Sequence, residues 1–412
     1  MHHLRTILLG AVVGGLLSAA AWAEEEKTIR PELGKPFQSA NELIKQKKFS
    51  DALSRLHEAD SVRDLTPYER SILGQLRGAA AAGSGDYATA AHAFEQVLAS
   101  GAVGAAEAQR LTLGITSFYY QAKDYAAAAQ WARKSLAEGA GNDQTRLLLA
   151  QSLYLSGDYP GAATAFKALI AAQKAANQTP SESSLQLLFD SYERQDDKAG
   201  SRTALEELVT FYPKSDYWTS LIQRVTHQPG FPDRLALDVN RLRSAVGLET
   251  DAASVIDHGE LALAAGLPGE ADTIISHGFS AGVLGTGADA ERHRRLQASI
   301  AKQVASDKLG LAAAEKEAAA RPDGTALVNT GLDWSGYGNG DKAIDLIKSG
   351  LAKGNLKHPE EAALHLGYAA WLAGKTAQAQ EAFAGLATGT GPVSDLAKVW
   401  LIAVKQNKSK AG

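Results

Sequence analysis

The chain has 412 residues, is 45% hydrophobic but only 7% aromatic, and carries a formal net charge of −4. That mild acidity excludes an electrostatic footprint for nucleic acid, which requires a basic patch or a high isoelectric point. The absence of cysteine excludes a disulfide framework, a thiolate metal site and a lipid-modified cysteine together.

The first predicted element is a targeting segment. MHHLR is a short basic start, TILLGAVVGGLLSAAA is an apolar run, and AWA sets small residues around Trp22. This is the three-part pattern of a cleavable signal peptide over residues 1–23, with cleavage after Ala23 and Glu24 as the first mature residue. The apolar run is shorter than the roughly 20 residues a spanning helix needs, so no stable membrane insertion is expected after its removal. Met1 is the only methionine, and a chain without oxidisable sulfur suits an oxidising compartment. The expectation is a periplasmic protein that is not a lipoprotein, beginning with a flexible segment over 24–35.

Beyond that segment a short hinge recurs. LYLSGDYPGAATAFKALI carries Gly157, Asp158 and Tyr159, then Ala162 and Phe166. GSGDYATAAHAFEQVL repeats it with Gly85, Asp86, Tyr87, Ala90 and Phe94, and QAKDYAAAAQWARKSL with Asp124, Tyr125 and Ala128. QKKFSDALSRL, YGNGDKAIDLI and LAGKTAQAQEAF are weaker copies, at Ala52, Ala343 and Ala379. The small residue after each hinge falls at 52, 90, 128, 162, 201, 271, 343 and 379, in steps of 38, 38, 34, 39, 70, 72 and 36. Two double-length steps each predict one divergent unit. A period of roughly 34 to 40 residues predicts stacked pairs of helices. Two helices joined by a tight turn pack closely only where a small side chain sits at the crossing. An aromatic four residues later lies one turn up the same face, placed to fill the gap to the next unit. Glycine permits the hinge backbone, and Asp caps the following helix.

These residues resemble the tetratricopeptide repeat family. Gly78, Tyr87, Ala90 and Phe94 match its pattern, as do Ala150, Tyr159, Ala162 and Phe166. Gly367, Ala379 and Phe383 match in a C-terminal unit, and Leu205, Leu208 and Pro213 match in part. The first-helix Trp of the family is missing, and Ser201 and Thr376 replace preferred residues. The resemblance implies an all-α, right-handed α-solenoid of about nine or ten helix-turn-helix repeats. It divides the chain into N-terminal repeats over 36–213, divergent helical repeats over 214–322, C-terminal repeats over 323–393, and a capping helix with tail over 394–412.

In the irregular middle, Pro213, Pro229 and Pro232 punctuate two predicted helices, Ser215 to His227 and Pro232 to Ala245. Leu235, Leu237, Leu242 and Val246 read as a buried face, hence a packed repeat rather than a linker. The charged stretch from Ala288 to Gly324 has no hinge glycine and reads as a longer helical pair. At the end, Ser394 is expected to cap a helix whose apolar stripe is Leu396, Val399, Trp400 and Ala403. Its other face is expected to meet solvent, as a terminal repeat requires, and the tail after Gln406 reads as disordered.

Several motifs resemble chemistry without its context. GKT at Gly374-Lys375-Thr376 lacks the earlier glycine of a phosphate loop, since Ala369 stands there, and lacks a preceding strand. Gly285-Thr286-Gly287 suggests a dinucleotide loop but has no βαβ setting; it reads as a glycine-rich connection that can also contact a partner. His358 and His365 are seven apart with no carboxylate–histidine metal pattern around them. No H-E-x-x-H and no G-x-S-x-G elbow occurs. The expectation is therefore no enzyme, no cofactor and no metal.

What remains is a binding surface. Carrying the groove-facing positions of the family across one residue at a time gives Arg110, Ser117, Tyr120 and Gln121, then Gln144, Gln151 and Tyr154, then Gln186, Asp190, Glu193 and Arg194. Tyrosine among Gln and Arg is the mix enriched in interfaces, although Tyr120 and Tyr154 can equally be internal packing. The resemblance thus implies a scaffold that binds a protein or peptide partner in the cell envelope. A binder of small molecules or cell-wall glycans is the alternative, hinted at by Trp334, Trp371 and the glycine-rich loop near Gly285.

Overall fold

Eight small residues mark where the helices cross: Ala52, Ala90, Ala128, Ala162, Ser201, Ala271, Ala343 and Ala379 are all buried without residual exposure. They are the eight positions that set the sequence period. The computed structural model describes residues 28–410, so the signal-peptide segment lies outside the described residues. Among the described residues there is no strand. Contacts divide the chain into two compact units, up to Ala204 and from Leu205 onward.

The N-terminal unit stacks antiparallel helix pairs in chain order. These are α1 (Pro31–Lys45) with α2 (Phe49–His57), α3 (Pro67–Ser84) with α4 (Tyr87–Ala99), and α5 (Ala105–Gln121) with α6 (Tyr125–Ala137). Then come α7 (Asp143–Leu155) with α8 (Tyr159–Ala175), and α9 (Glu182–Glu193) with α10 (Lys198–Phe211), within which the division falls. Helix α1 begins inside the segment expected to be flexible, because Leu33 and Phe37 bury against the first pair.

The three turns with an Asp-Tyr hinge are built as those residues predict. Asp86, Asp124 and Asp158 accept hydrogen bonds from the backbone N–H of Thr89, Ala127 and Gly161 at 3.1, 3.0 and 2.9 Å, satisfying donors at the helix start. Gly85 and Gly157 precede them with φ of 84°. Where the hinge lacks glycine, Lys47, Lys123 and Asp196 take the same left-handed conformation at φ of 60°, 64° and 54°, against the preference of an L-residue.

The aromatic positions lock the stack. The Phe94 ring lies against Gly78, where a Cβ would approach it to 2.7 Å, and stacks on Phe118 of α5 at 5.5 Å. One side chain thus joins its own pair and the next. At the N-terminal end, the fully buried Glu69 carboxylate receives the Arg30 backbone N–H at 3.0 Å and its guanidinium at 2.8 Å. Glu69 also completes a capping box with Thr66. The Arg30 hydrogen bonds hold its carboxyl down at about 2 against the opposing effect of burial.

The C-terminal unit continues with α11 (Ser215–Thr226), α12 (Ala236–Ala245), α13 (Ala252–Ala264) and α14 (Pro268–Ser280). It ends with α15 (Ala290–Ala320), α16 (Thr325–Gly336), α17 (Gly340–Lys353), α18 (Pro359–Leu372), α19 (Thr376–Ala387) and α20 (Pro392–Lys410). The two helices expected after Pro213 and Pro232 are present, and Leu235, Leu237 and Leu242 are buried as expected. The longer helical pair expected before Gly324 is instead one 31-residue helix, α15. No glycine hinge interrupts it, and it is inserted: α14 packs directly on α16. Gly336 approaches α14 so closely that a Cβ would sit 2.6 Å from the Glu270 backbone nitrogen.

The capping helix also differs from expectation. It starts at Pro392, and Ser394 bonds back to the Gly389 carbonyl at 2.9 Å from within the first turn. Leu396, Val399, Trp400 and Ala403 are buried, with Trp400 stacked on Phe383 of α19 at 5.3 Å. Val393, Ala397 and Val404 are buried as well, because α20 also packs on α11 and α12. The buried stripe is therefore wider than expected, while on the opposite face Lys398, Leu401 and Ile402 stay half-buried and Lys405 exposed, and this unit closes its last helix onto its first ones.

Two outcomes follow from this packing. Gly78→Ala should destabilise the N-terminal unit by about 1–3 kcal/mol in urea unfolding, as overpacking does, although alanine is the better helix former. Glu69 has a carboxyl lowered from 4.5 to about 2, so its stabilisation is complete above pH 4.5 and lost as pH falls through about 2. An acid titration of Glu69→Gln should lack that component.

Candidate partner-binding surface

The N-terminal unit presents a ladder of first helices, α5, α7 and α9, and all eleven groove positions lie on these helices or just past the end of α9, at Arg194. On α5, Arg110 and Gln121 are exposed, while Ser117 and Tyr120 are half-buried. Arg110 pairs with Glu107 one turn away, and Ser117 bonds the Leu113 carbonyl of its own helix at 3.2 Å. Tyr120 packs edge-on against Tyr125 of α6 at 5.6 Å; burial and this neighbour raise its phenol above the usual range.

The next two units come together through side chains. The Tyr154 hydroxyl donates to Asp190 of α9 at 2.5 Å, and Arg194 donates to the same carboxylate oxygen at 3.2 Å. Tyr159 in the hinge completes the cluster, edge-on to Tyr154 at 5.7 Å with the Arg194 guanidinium over its ring at 5.5 Å. The hydrogen bond to Asp190, with burial, raises the Tyr154 phenol. Tyr154 and Asp190 therefore join α7 to α9 and shape the surface from below. Gln144 and Gln186 are exposed, and Gln151 and Glu193 are half-buried.

Sequence reasoning missed a parallel cluster on α4, α5 and α6. One Glu95 oxygen accepts from the Tyr119 hydroxyl at 2.6 Å and from the Trp131 indole at 2.9 Å. Nothing in the hinge pattern marks Glu95, which acts across a helix contact between distant positions.

The C-terminal unit holds a second missed feature. Arg241 of α12 is buried, and its guanidinium grips Glu270 of α14 with two bonds of 2.8 and 2.7 Å. Its third bond goes to Asp238 at 2.8 Å. The Tyr368 hydroxyl of α18 adds a bond to Glu270 at 3.0 Å, and its ring lies under the guanidinium at 4.5 Å. His365, also on α18, reaches Asp238 at 3.2 Å. Burial alone would raise the Asp238 carboxyl, but His365 and Arg241 hold it at about 2. Burial is likewise opposed at Glu270, which Arg241 keeps ionised. Beside this network a cavity of 260 Å³ opens between α12, the turn before α14, α16 and α18, lined by Asp238, Arg241, Asn329, Asp333 and His365 among others. A signal was present in Asp238-x-x-Arg241, two charges one turn apart on a helix whose other face is apolar.

The chemical lookalikes resolve as structure. Lys375 of the GKT triplet pairs with Asp341 of the previous unit. Leu284 anchors the otherwise exposed glycine-rich connection, and the Gly285 N–H donates to His293 at 3.1 Å. His358 stands at the entrance to α18. Among the described residues no group of three or more His or acidic side chains is placed to hold a metal ion, and no helix is long and apolar enough to cross a membrane. The face of Trp334 is covered by Lys342 at 4.1 Å, and Trp371 packs with Tyr368 and Trp400.

A family model described as tetratricopeptide repeat matches residues 190–215, from the end of α9 through α10. The match falls on one helix-turn-helix unit of the chain. Similar solved structures include the C-terminal part of a TPR repeat-containing protein from Cytophaga hutchinsonii, 12% identical, covering 79% of this chain and 98% of that one, with a TM-score of 0.30. A Naa15/Naa10 structure bound to HypK-THB is 15% identical over 92% of this chain and 68% of that one, with a TM-score of 0.31. A comparison with curated proteins returns no match. A tetratricopeptide repeat at residues 190–215 supports a protein–protein interaction scaffold.

Arg241→Met should destabilise the C-terminal unit by about 3–5 kcal/mol, since it leaves Glu270 and Asp238 buried without their cation. Urea unfolding followed by the fluorescence of Trp218, Trp371 and Trp400, all in this unit, measures it. The loss should shrink at acid pH, where the stranded carboxylates take up protons.

Proposed function

We propose that this chain is an exported, periplasmic scaffold that binds a protein or peptide partner of the cell envelope on the first-helix ladder of its N-terminal unit, without catalysis. The observation that carries the reading is the Tyr154–Asp190–Arg194–Tyr159 cluster. It fixes α7 against α9, so that Gln144, exposed at the start of α7, stands on a rigid support. A rigid base under exposed polar side chains lowers the ordering cost of binding. Export rests on the basic, apolar and small-residue pattern of residues 1–23.

A photo-crosslinking residue placed at Gln121, Gln144 or Gln186 should capture a defined protein in the envelope of the source cell. The same residue at Gln130 or Lys167, exposed on the second helices α6 and α8, should not. Equal capture from both sets, or from neither, would remove the ladder as the binding face. Fractionation should recover the protein in the periplasm with Glu24 at its N-terminus; an intact Met1 in the cytoplasm would overturn the export reading.

A further inference from the structure

The inserted helix α15 is held to the repeat stack at points that differ in kind. Near its end, Glu315 accepts from the Trp334 indole at 3.1 Å and pairs with Lys342 of α17 at 2.5 Å, and Lys353 donates to the Ala319 carbonyl at 2.8 Å. These contacts match donors to acceptors. At its middle the match fails: the Tyr337 hydroxyl at the end of α16 holds Asp307 of α15 against the face of α16 that carries Asp333 one turn earlier, so that carboxyl faces carboxyl. The Tyr337 hydroxyl, one turn beyond Asp333, donates to Asp307 at 2.6 Å. Asp333 Oδ1 is buried and has no donor.

Nearby cations are engaged elsewhere. On α12, Arg241 is committed to Glu270 and Asp238; on α18, His365 faces Asp238. On α15 itself, Lys308 lies over the Tyr337 ring at 5.0 Å, and on α17, Lys342 serves Glu315. From α14, Asp272 adds a further negative charge facing Tyr337, and Glu270 is held by Arg241. Two carboxylates in contact without a cation repel, and the arrangement closes only when a proton lies between them.

We propose that Asp333 and Asp307 share one proton, which bonds the inserted helix α15 to α16, and that release of this proton loosens α15 from the stack. In the closed joint the Asp333 O–H donates to the Asp307 carboxylate, which also accepts from Tyr337. This gives the half-buried carboxyl of Asp333, with its shielded Oδ1, a role without requiring a donor from elsewhere. Burial, with Asp307 beside it, raises the Asp333 carboxyl from 3.8 to about 7. Because the closed joint holds its proton more tightly than an open one, the joint is firmest below the ordinary Asp value and weakens as pH rises from 3.8 to about 7. Above that the effect is complete. The cavity beside Asp333 lies next to this joint, so α15 and the cavity wall respond to the same proton.

Hydrogen exchange of the α15 amides, corrected for intrinsic rates, tests the proposal. Protection around Asp307 should fall by about tenfold per pH unit across the lower part of that interval and level off above it. Asp333→Asn, whose amide donates to Asp307 without titrating, should keep its protection throughout. An equal pH response in wild type and Asp333→Asn, or none in wild type, would overturn the proposal. If Asp333→Asn does not fold, the side-chain carboxyl 13C shift of Asp333 in the wild-type protein decides. A midpoint near 7 supports the shared proton, and a midpoint in the ordinary carboxylate range refutes it.

Discussion

Close approach between helices at small side chains is the constraint on which everything else in this chain depends. At Ala52, Ala90, Ala128, Ala162, Ser201, Ala271, Ala343 and Ala379 the crossing leaves no exposed surface, so the space available is that of a methyl or hydroxymethyl group. Glycine is needed where backbones approach further, as at Gly336 against α14. Aromatic rings then fill what the small residues leave open, Phe94 between α4 and α5 and Phe383 against Trp400. Small and large residues thus alternate across each contact, and that alternation rather than hydrophobicity alone sets the period.

The two units use the same joint for different ends. In the N-terminal unit the first helices remain accessible in a row, and polar clusters such as Tyr154–Asp190–Arg194 brace them from one pair to the next. In the C-terminal unit a buried polar network braces the helices instead. Arg241 gathers Glu270, Asp238, Tyr368 and His365 from three helices, and α20 returns to pack on α11 and α12. A buried charge network of this kind adds little net stability compared with apolar packing, but breaking it is costly. It therefore fixes one arrangement of α12, α14 and α18.

The inserted helix α15 belongs to neither pattern. Its charged sequence, without a hinge glycine, identifies a departure from the repeat, but the reading of it as a helical pair assumed that every double-length step hides one more unit. The stack passes from α14 to α16 directly, and the extra residues leave it as one long helix. Periodicity counts residues and cannot tell a unit within the stack from an insertion beside it.

Local chemistry determined much of this protein. The hinge, the capping aspartates, the small residues at the crossings and the aromatics that follow them are readable in order along the chain, because each acts on neighbours within one or two helices. Where charges settle was decided only by tertiary structure. Glu95 and Asp333 stand on helices with nothing local to distinguish them, Arg241 shows only its neighbour Asp238, and the remaining partners lie tens of residues away, across helix contacts. Tyr154 and Asp190 were legible as surface positions but not as a bonded pair. The apolar stripe and polar outer face of α20 were legible, but not the contact along its flank, because the sequence of one helix does not reveal that the chain folds back against α11 and α12.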